Sequence, residues 1–291
     1  MKALEMRKPL FAASVIAAAL SIGQPALAHR SDDIWTALMA PPGARSFVAA
    51  HRGAHVEVPE NSVPAIRRAI ELGVDIVEID VRFTRDNVAV LMHDPKVDRT
   101  TTGQGKVESM TFAEIERLRL LGPDGKPTAY RVPTLDSVLR IARDKIVVDL
   151  HLKVDRAPEV AAIPRRAGIR HALFYADDAL WLENMQAAWR GGETLRLAQS
   201  AEELDAYLKE ASPRFVHLTP DYLSRALIVR LDQRGVRGMV NVLGDPDRAA
   251  AADGRASYDA VINSGVSIIQ TDRPKDLIER MTELGRHRTI R

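Results

Sequence analysis

From Pro133 to Leu284 the sequence alternates short apolar runs with amphipathic segments, and that rhythm restricts the fold more than any other feature. The 3.6-residue apolar spacing predicts helices over Leu135–Arg143, Ala157–Ala167, Ala179–Trp189, Ala201–Glu210, Leu223–Arg234, Asp247–Asn263 and Pro274–Leu284. Between them, strand-type runs fall at Ile146–Leu152, Ala172–Tyr175, Thr194–Ala198, Phe215–Leu218, Val236–Val242 and Val266–Gln270. Upstream, Phe47–Ala50 reads as a buried strand and Ser62–Leu72 as a helix, with Asn61 or Ser62 as cap and Gly73 just past its end. A further strand starts at Val74, and Val88–Met92 is β-rich. Strands alternating with helices imply a parallel sheet under helical cover. About eight such units in a chain of this length favour an α/β fold of the closed (β/α)8, or TIM-barrel, type. An open doubly wound sheet would usually announce a glycine-rich first turn, and His51-Arg52-Gly53-Ala54-His55 is not one. The stretch 95–131 is too long for a tight link. It holds an expected short helix at Phe112–Leu120 and the turn Gly122-Pro123-Asp124-Gly125, and reads as an insertion after the second strand, lying over the barrel end.

The first 28 residues do not belong to this pattern. Lys2, Arg7 and Lys8 precede an apolar run from Leu10 to Ile22, and Ala26-Leu27-Ala28 is a small-x-small site. These are the parts of a secretory signal cut after Ala28, leaving 29–291 as a single domain in the periplasm or outside the cell, with no stable membrane anchor. The apolar run is too short to span a bilayer comfortably. The leader carries three basic residues and one acid, so the rest of the chain is charge-balanced and suggests no nucleic-acid or anionic-membrane partner. There is no cysteine, which excludes a disulfide framework, a thiol nucleophile and a thiolate metal site.

Polar residues that look out of place collect just after predicted strands. His51 and Arg52 follow the first, Glu78 and Asp80 end the second, His93 ends the extra run, and His151 and Lys153 end the third. Asn241 and Gln270-Thr271-Asp272 occupy the same place late in the chain. In a barrel those ends converge on one mouth. Glu78 and Asp80, two apart on a strand, leave the same face. Acids at one strand end and imidazoles at its neighbours are what a divalent-metal site with proton-transfer groups requires.

On these residues the sequence resembles the glycerophosphodiester phosphodiesterase family, in its bacterial exported branch. The resemblance is carried by His51-Arg52-Gly53, Pro59-Glu60-Asn61-Ser62, Glu78-Ile79-Asp80, His93-Asp94, Arg99-Thr100-Thr101, Pro133-Thr134-Leu135, Lys153 and Thr271-Asp272-Arg273-Pro274. It is dense from Ala50 to Leu152 and thin from there to about Gly265. It implies metal-dependent hydrolysis of a small-molecule glycerophosphodiester to glycerol 3-phosphate and an alcohol, through attack by the substrate's own hydroxyl and then by water. Glu78 and Asp80 would bind one divalent ion, magnesium or calcium. His51 and His93 would act as acid and base, Arg52 and Lys153 would hold the phosphate, and Glu60 would organise the site beside the metal.

One position departs from the family. Its third acidic ligand lies two residues before the strand-three lysine, where this chain has His151. His151 ligates directly, shifting preference toward manganese or zinc; or Asp149 reaches in from one step deeper; or water fills the place. Asn241 stands where the family often has an aromatic residue. His55, His171, His217 and His287 read as surface or packing residues, as do Trp35, Trp181 and Trp189 for packing, and Asn87 as a turn residue with positive φ. The rival functions are a phospholipase-D-like lyase acting on lipids, which needs an apolar rim on the insertion, and a periplasmic phosphodiester-binding protein without turnover.

Overall fold

The computed structural model describes residues 29–43 and 45–287, so the expected leader lies outside the described residues. Eleven strands form: β1 (Phe47–Ala50), β2 (Ile76–Phe83), β3 (Ala89–Leu91), β4 (Arg119–Leu121), β5 (Pro127–Arg131), β6 (Val147–Leu152), β7 (Ala172–Tyr175), β8 (Gly192–Ala198), β9 (Phe215–Leu218), β10 (Arg237–Asn241) and β11 (Ile268–Thr271). Eight of them, β1, β2 and β6 to β11, pair in parallel in chain order. The last returns to the first, Phe47 opposite Ile268 and Ala50 opposite Thr271, which closes the barrel. Closure leaves no parallel edge to protect. Helices α1 (Arg30–Met39), α2 (Val63–Glu71), α3 (Phe112–Ile115), α4 (Leu135–Ala142), α5 (Ala157–Ala167), α6 (Ala179–Ala188), α7 (Ala201–Glu210), α8 (Arg225–Gln233), α9 (Asp245–Asp253), α10 (Asp259–Ser264) and α11 (Pro274–Glu283) complete the described elements.

Both faces of each barrel strand are buried, so the strands read as continuous apolar runs, and the period of two sorts their side chains. One parity, including Val48, Val77, Val148, Phe174, Val216, Val240 and Ile269, packs outward among the helices. The other parity, Phe47, Ala49, Ile76, Val147, Leu173, Leu195, Phe215, Met239 and Ile268, fills the barrel interior. The same interior cluster includes Ile34, Trp35 and Leu38 of α1, which seals the bottom like a plug. Arg237, 4% exposed, holds the plug by donating to the carbonyls of Ala37, Leu38 and Ala40. Two residues further along this inward parity the hydrophobes stop. Ile76 leads to Glu78 and Asp80, Val147 to Asp149 and His151, Leu173 to Tyr175, Phe215 to His217, Met239 to Asn241 and Ile268 to Gln270.

Helix α1 precedes β1, and three readings are corrected here. The helix expected over Phe112–Leu120 stops at Ile115, after a Thr111/Glu114 capping box, and Arg119–Leu121 instead pairs antiparallel with β5 around the Gly122–Gly125 turn. The helix expected over Asp247–Asn263 is broken, because Gly254 and Arg255 adopt φ of 87° and 79° and start a new turn. The helix expected to run to Trp189 ends at Ala188. The insertion has a small core of its own (Val97, Val107, Ile115 and Leu120 against Val90, Met92 and Val132), so it is a packed excursion rather than a loose loop. β3 pairs antiparallel with the outer end of β2, Val81 opposite Leu91, and this hairpin turns at Asn87 with φ 62°, as expected.

Candidate active site

The mouth is built around a tight turn after β1. Arg52 and Gly53 have φ of 52° and 83°, and a Cβ on Gly53 would lie 2.8 Å from that of Ala65, so only glycine fits between the turn and α2. The turn aims the backbone N–H of Arg52 at Glu78 Oε2, 2.8 Å away. Glu78 and Asp80 are 2% and 0% exposed. Asn61, also at positive φ, clamps Asp80 twice: Nδ2 donates to Asp80 Oδ2 at 2.7 Å, and Oδ1 accepts from the Asp80 N–H at 3.1 Å. The cap of α2 is therefore Ser62, which accepts from the Ala65 N–H, while Asn61 belongs to the site.

The other oxygens, Glu78 Oε1 and Asp80 Oδ1, are buried without a hydrogen-bond partner. Both face His151 Nδ1, at 3.6 and 3.3 Å. These three residues offer ligand atoms that all lie within 4.8 Å of one another. Orphaned carboxylate oxygens beside an imidazole fit a divalent cation, which would satisfy atoms that are costly to leave unpaired. Lys153 Nζ stands 2.9 Å from His151 Nε2 and 3.4 Å from Asp80 Oδ1. Asp149 sits one step deeper, outside this group. Burial, reinforced by the negative charges of Glu78 and Asp80, pushes its carboxyl well above the usual range. Burial also opposes ionisation of Glu78, but His151, His51 and the Arg52 N–H win and bring it to about 2.

The two expected acid–base histidines each lean on a carboxylate. His51 Nδ1 is 2.7 Å from Asp272 Oδ1, which also meets His55 Nε2 at 3.0 Å. His93 Nδ1 is 2.7 Å from Asp94 Oδ1. Such a contact fixes the tautomer and leaves Nε2 for the substrate. Burial pulls His51 down, but Asp272 and the charge of Glu78 outweigh it, and the net shift is upward. For His93 burial wins over Asp94, helped by Arg52 and Lys153, and the shift is downward. Paired groups pushed apart in this way suit complementary acid and base roles. Asp94 is gripped by Arg99, whose guanidinium also forks onto Glu60 at 2.8 Å for each contact, and Glu60 accepts from Arg52 at 2.9 Å. Both Glu60 oxygens are thus taken by guanidinium groups. Glu60 ties Arg52 to Arg99 and is not among the residues around the unpaired oxygens.

His51, Arg52, Glu60, Glu78, Asp80, His93, His151 and Lys153 stand there in two linked groups, while Thr271, also expected at the mouth, turns outward to Asp247. Three others were read differently or not at all. His55 reads from sequence as surface or packing, yet it shares Asp272 with His51. Asp272 is placed at the mouth by its position just past a strand end, but the sequence assigns it no role, and the structure sets it against His51. Tyr175, whose ring lies 4.5 Å from that of His151, could have been found by counting the inward parity of β7. His171 stacks on Trp35 and His287 is buried near Asp75, so these two are packing residues, while His217 is buried in the barrel interior against Tyr175.

Comparison with known proteins agrees with this geometry. Residues 51–207, more than half of the chain, match the model of the glycerophosphoryl diester phosphodiesterase family. The chain is 42% identical over 111 residues to a glycerophosphodiester phosphodiesterase of Caldanaerobacter subterraneus subsp. tengcongensis, covering 38% of this chain and 46% of that protein. It is 39% identical over 116 residues to glycerophosphodiester phosphodiesterase 1 of Mus musculus, covering 38% and 35%. The matches span less than half the length of these relatives. Among solved structures, a glycerophosphoryl diester phosphodiesterase from Parabacteroides distasonis superposes with a TM-score of 0.77 at 27% identity, over 87% of this chain and 92% of that one. An Oleispira antarctica phosphodiesterase, solved with the product sn-glycerol-3-phosphate, shares the fold with a TM-score of 0.67 at 20% identity, over 82% and 97%. The chain belongs to the glycerophosphoryl diester phosphodiesterase family.

Proposed function

We propose that this chain hydrolyses glycerophosphodiesters to glycerol 3-phosphate and an alcohol with one divalent metal ion. The observation that carries the reading is the meeting, at one barrel mouth, of two buried acids with unpaired oxygens and two imidazoles each backed by a carboxylate. Glu78, Asp80 and His151 would hold the metal. Magnesium or calcium suits the carboxylates, manganese or zinc the added imidazole nitrogen. When bound, the ion supplies charge neutralisation for a phosphodiester whose anionic oxygens repel a nucleophile.

The remaining work falls to the chain's own groups. Arg52, held by Glu60, and Lys153 bind the phosphate oxygens. His93 takes the proton of the substrate hydroxyl that attacks phosphorus, and His51 gives one to the departing alkoxide. In the second step His51 takes a proton from water, and His93 returns one to the glycerol oxygen as the cyclic ester opens. Among the described residues of the insertion, Tyr130 is the one large hydrophobic side chain that is exposed, which favours a water-soluble diester over a lipid. Export through a leader cut after Ala28, with 29–291 acting as one domain in the periplasm or outside the cell, completes the proposal. Among the described residues no helix is long and apolar enough to cross a membrane.

The test is release of glycerol 3-phosphate from glycerophosphocholine, with and without EDTA. Release that stops in EDTA, returns with a divalent ion and falls by about 10²–10⁴-fold in His51→Ala supports the reading. Release that survives His51→Ala excludes the mechanism. Binding without release under any of the four metals would mean a binding protein.

A further inference from the structure

Among the described residues, two groups of three acid or imidazole side chains converge closely enough to share one ion. One is Glu78, Asp80 and His151. The other is His51, His55 and Asp272, and its composition is the reverse: two imidazoles with one acid instead of two acids with one imidazole. Nitrogen donors favour zinc over magnesium or calcium, and three protein ligands leave a tetrahedral ion one place for water.

Backbone anchors hold all three members of this second group in place. The His51 N–H donates to the Thr271 carbonyl at 3.1 Å, which ties the end of β1 to the residue before Asp272. The turn at Arg52 and Gly53 brings His55 back beside His51, and the Ala54 N–H pins it by donating to the Ala65 carbonyl at 3.1 Å. The Asp272 N–H donates to Asp247 Oδ2 at 2.7 Å, and Asp247 is itself gripped by Tyr258 and Thr271. From these anchors His51 Nδ1 and His55 Nε2 reach one and the same atom, Asp272 Oδ1, at 2.7 and 3.0 Å. Ligand atoms around a tetrahedral zinc stand about 3.3 Å apart, so small rotations of the side chains turn a hydrogen-bonded trio into a coordinating one. The side chains of His51, His55 and Asp272 are 13%, 22% and 33% exposed, open enough for an ion to enter from the mouth.

We infer that His51, His55 and Asp272 form a second metal site, for zinc or a similar dication, through which excess metal turns the enzyme off. The two uses of His51 exclude each other because of its protons. As general acid it is an imidazolium, with one proton on Nδ1 facing Asp272 and one on Nε2 for the leaving alkoxide. An ion bound at Nδ1 sends that first proton to solvent, and the His55 proton moves from Nε2 to Nδ1 of the same ring. His51 then keeps only its Nε2 proton, and giving it up would leave an imidazolate, so protonation of the alkoxide is lost. The off-switch rests on the diesterase reading, whereas the ion site stands on its own ligands.

Equilibrium dialysis against zinc counts the ions directly. Wild type is expected to bind two per chain. His55→Gln should lose the second, its affinity falling by about 10²-fold or more, since even outer partners of a ligand are worth about 10–100-fold. His151→Ala should keep that ion and lose the other. One ion per chain in wild type overturns the site and needs no variant to fold. Two ions in a folded His55→Gln overturn it as well, because the second then lies elsewhere. Release of glycerol 3-phosphate from glycerophosphocholine, followed along the same titration, should fall by about 10²-fold or more as the second ion binds, the share a general acid supplies. In His55→Gln the second equivalent should cause no such fall. Release that stays level while wild type takes up its second ion overturns the switch. No release at any metal loading sinks the diesterase reading and the switch with it, while the ion count still decides the site.

Discussion

The lower and upper storeys of the barrel interior are made by the same strands and the same side-chain parity, two residues apart. Below, Phe47, Ile76, Val147, Leu173, Phe215, Met239 and Ile268 pack with the α1 plug and leave no polar side chain in their cluster. Above, Glu78, Asp80, Asp149, His217, Asn241 and Gln270 hold six of the buried polar atoms that lack a partner. The lower layer is satisfied by itself. The upper one leaves these atoms without partners, which in physical terms is what distinguishes a site from a core. A strand can carry both because the period of two keeps its inward face inward while its chemistry changes along the length.

This contrast can be broken from either side. The largest expected effect is at the mouth: His93→Ala should lower kcat/KM for glycerophosphocholine by about 10²–10⁴-fold while moving the melting temperature little, as steady-state kinetics and calorimetry on one preparation would show. Below, Phe47→Ala should do the reverse, costing about 3–5 kcal/mol in chemical denaturation with kcat per folded molecule preserved. If Phe47→Ala removed activity from fully folded protein, the two storeys would not be separable. Next in size, His151→Glu should exchange metal preference on the order of tenfold, away from zinc and manganese and toward magnesium and calcium, measured by competitive metal titration. Unchanged preference and affinity would remove His151 from the ligand set.

The smallest effect sharpens the division of labour between the histidines. The raised His51 and the lowered His93 leave a window in which the first is protonated and the second neutral, so kcat/KM should be bell-shaped in pH. Its alkaline limb reports loss of the His51 proton. Asp272→Asn removes a carboxylate that favours the protonated ring, so this limb should move to lower pH while the acid limb stays. Movement of the acid limb instead would reverse the assignment of the two imidazoles.

The alternating apolar and amphipathic runs made the barrel legible, and the mouth was legible because Glu78, Asp80, His51, His93, His151 and Lys153 break the apolar pattern at strand ends. What stayed hidden depends on contacts far apart in sequence or on backbone geometry. Asp272 meets His51 across 221 positions, and nothing local marks the pair. Asn61 was read as a helix cap because its residue type suits one, and only its left-handed backbone turns it onto Asp80. The α1 plug escaped because three buried apolar side chains in ten residues beside an expected cleavage site are a thin signal.

The most direct measurement is anomalous diffraction from crystals soaked with manganese and glycerol 3-phosphate. One strong peak is expected, bonded to Glu78, Asp80 and His151, with the phosphate on Arg52 and Lys153 between His51 and His93. A peak bound elsewhere, or a phosphate lying away from both imidazoles, would contradict it.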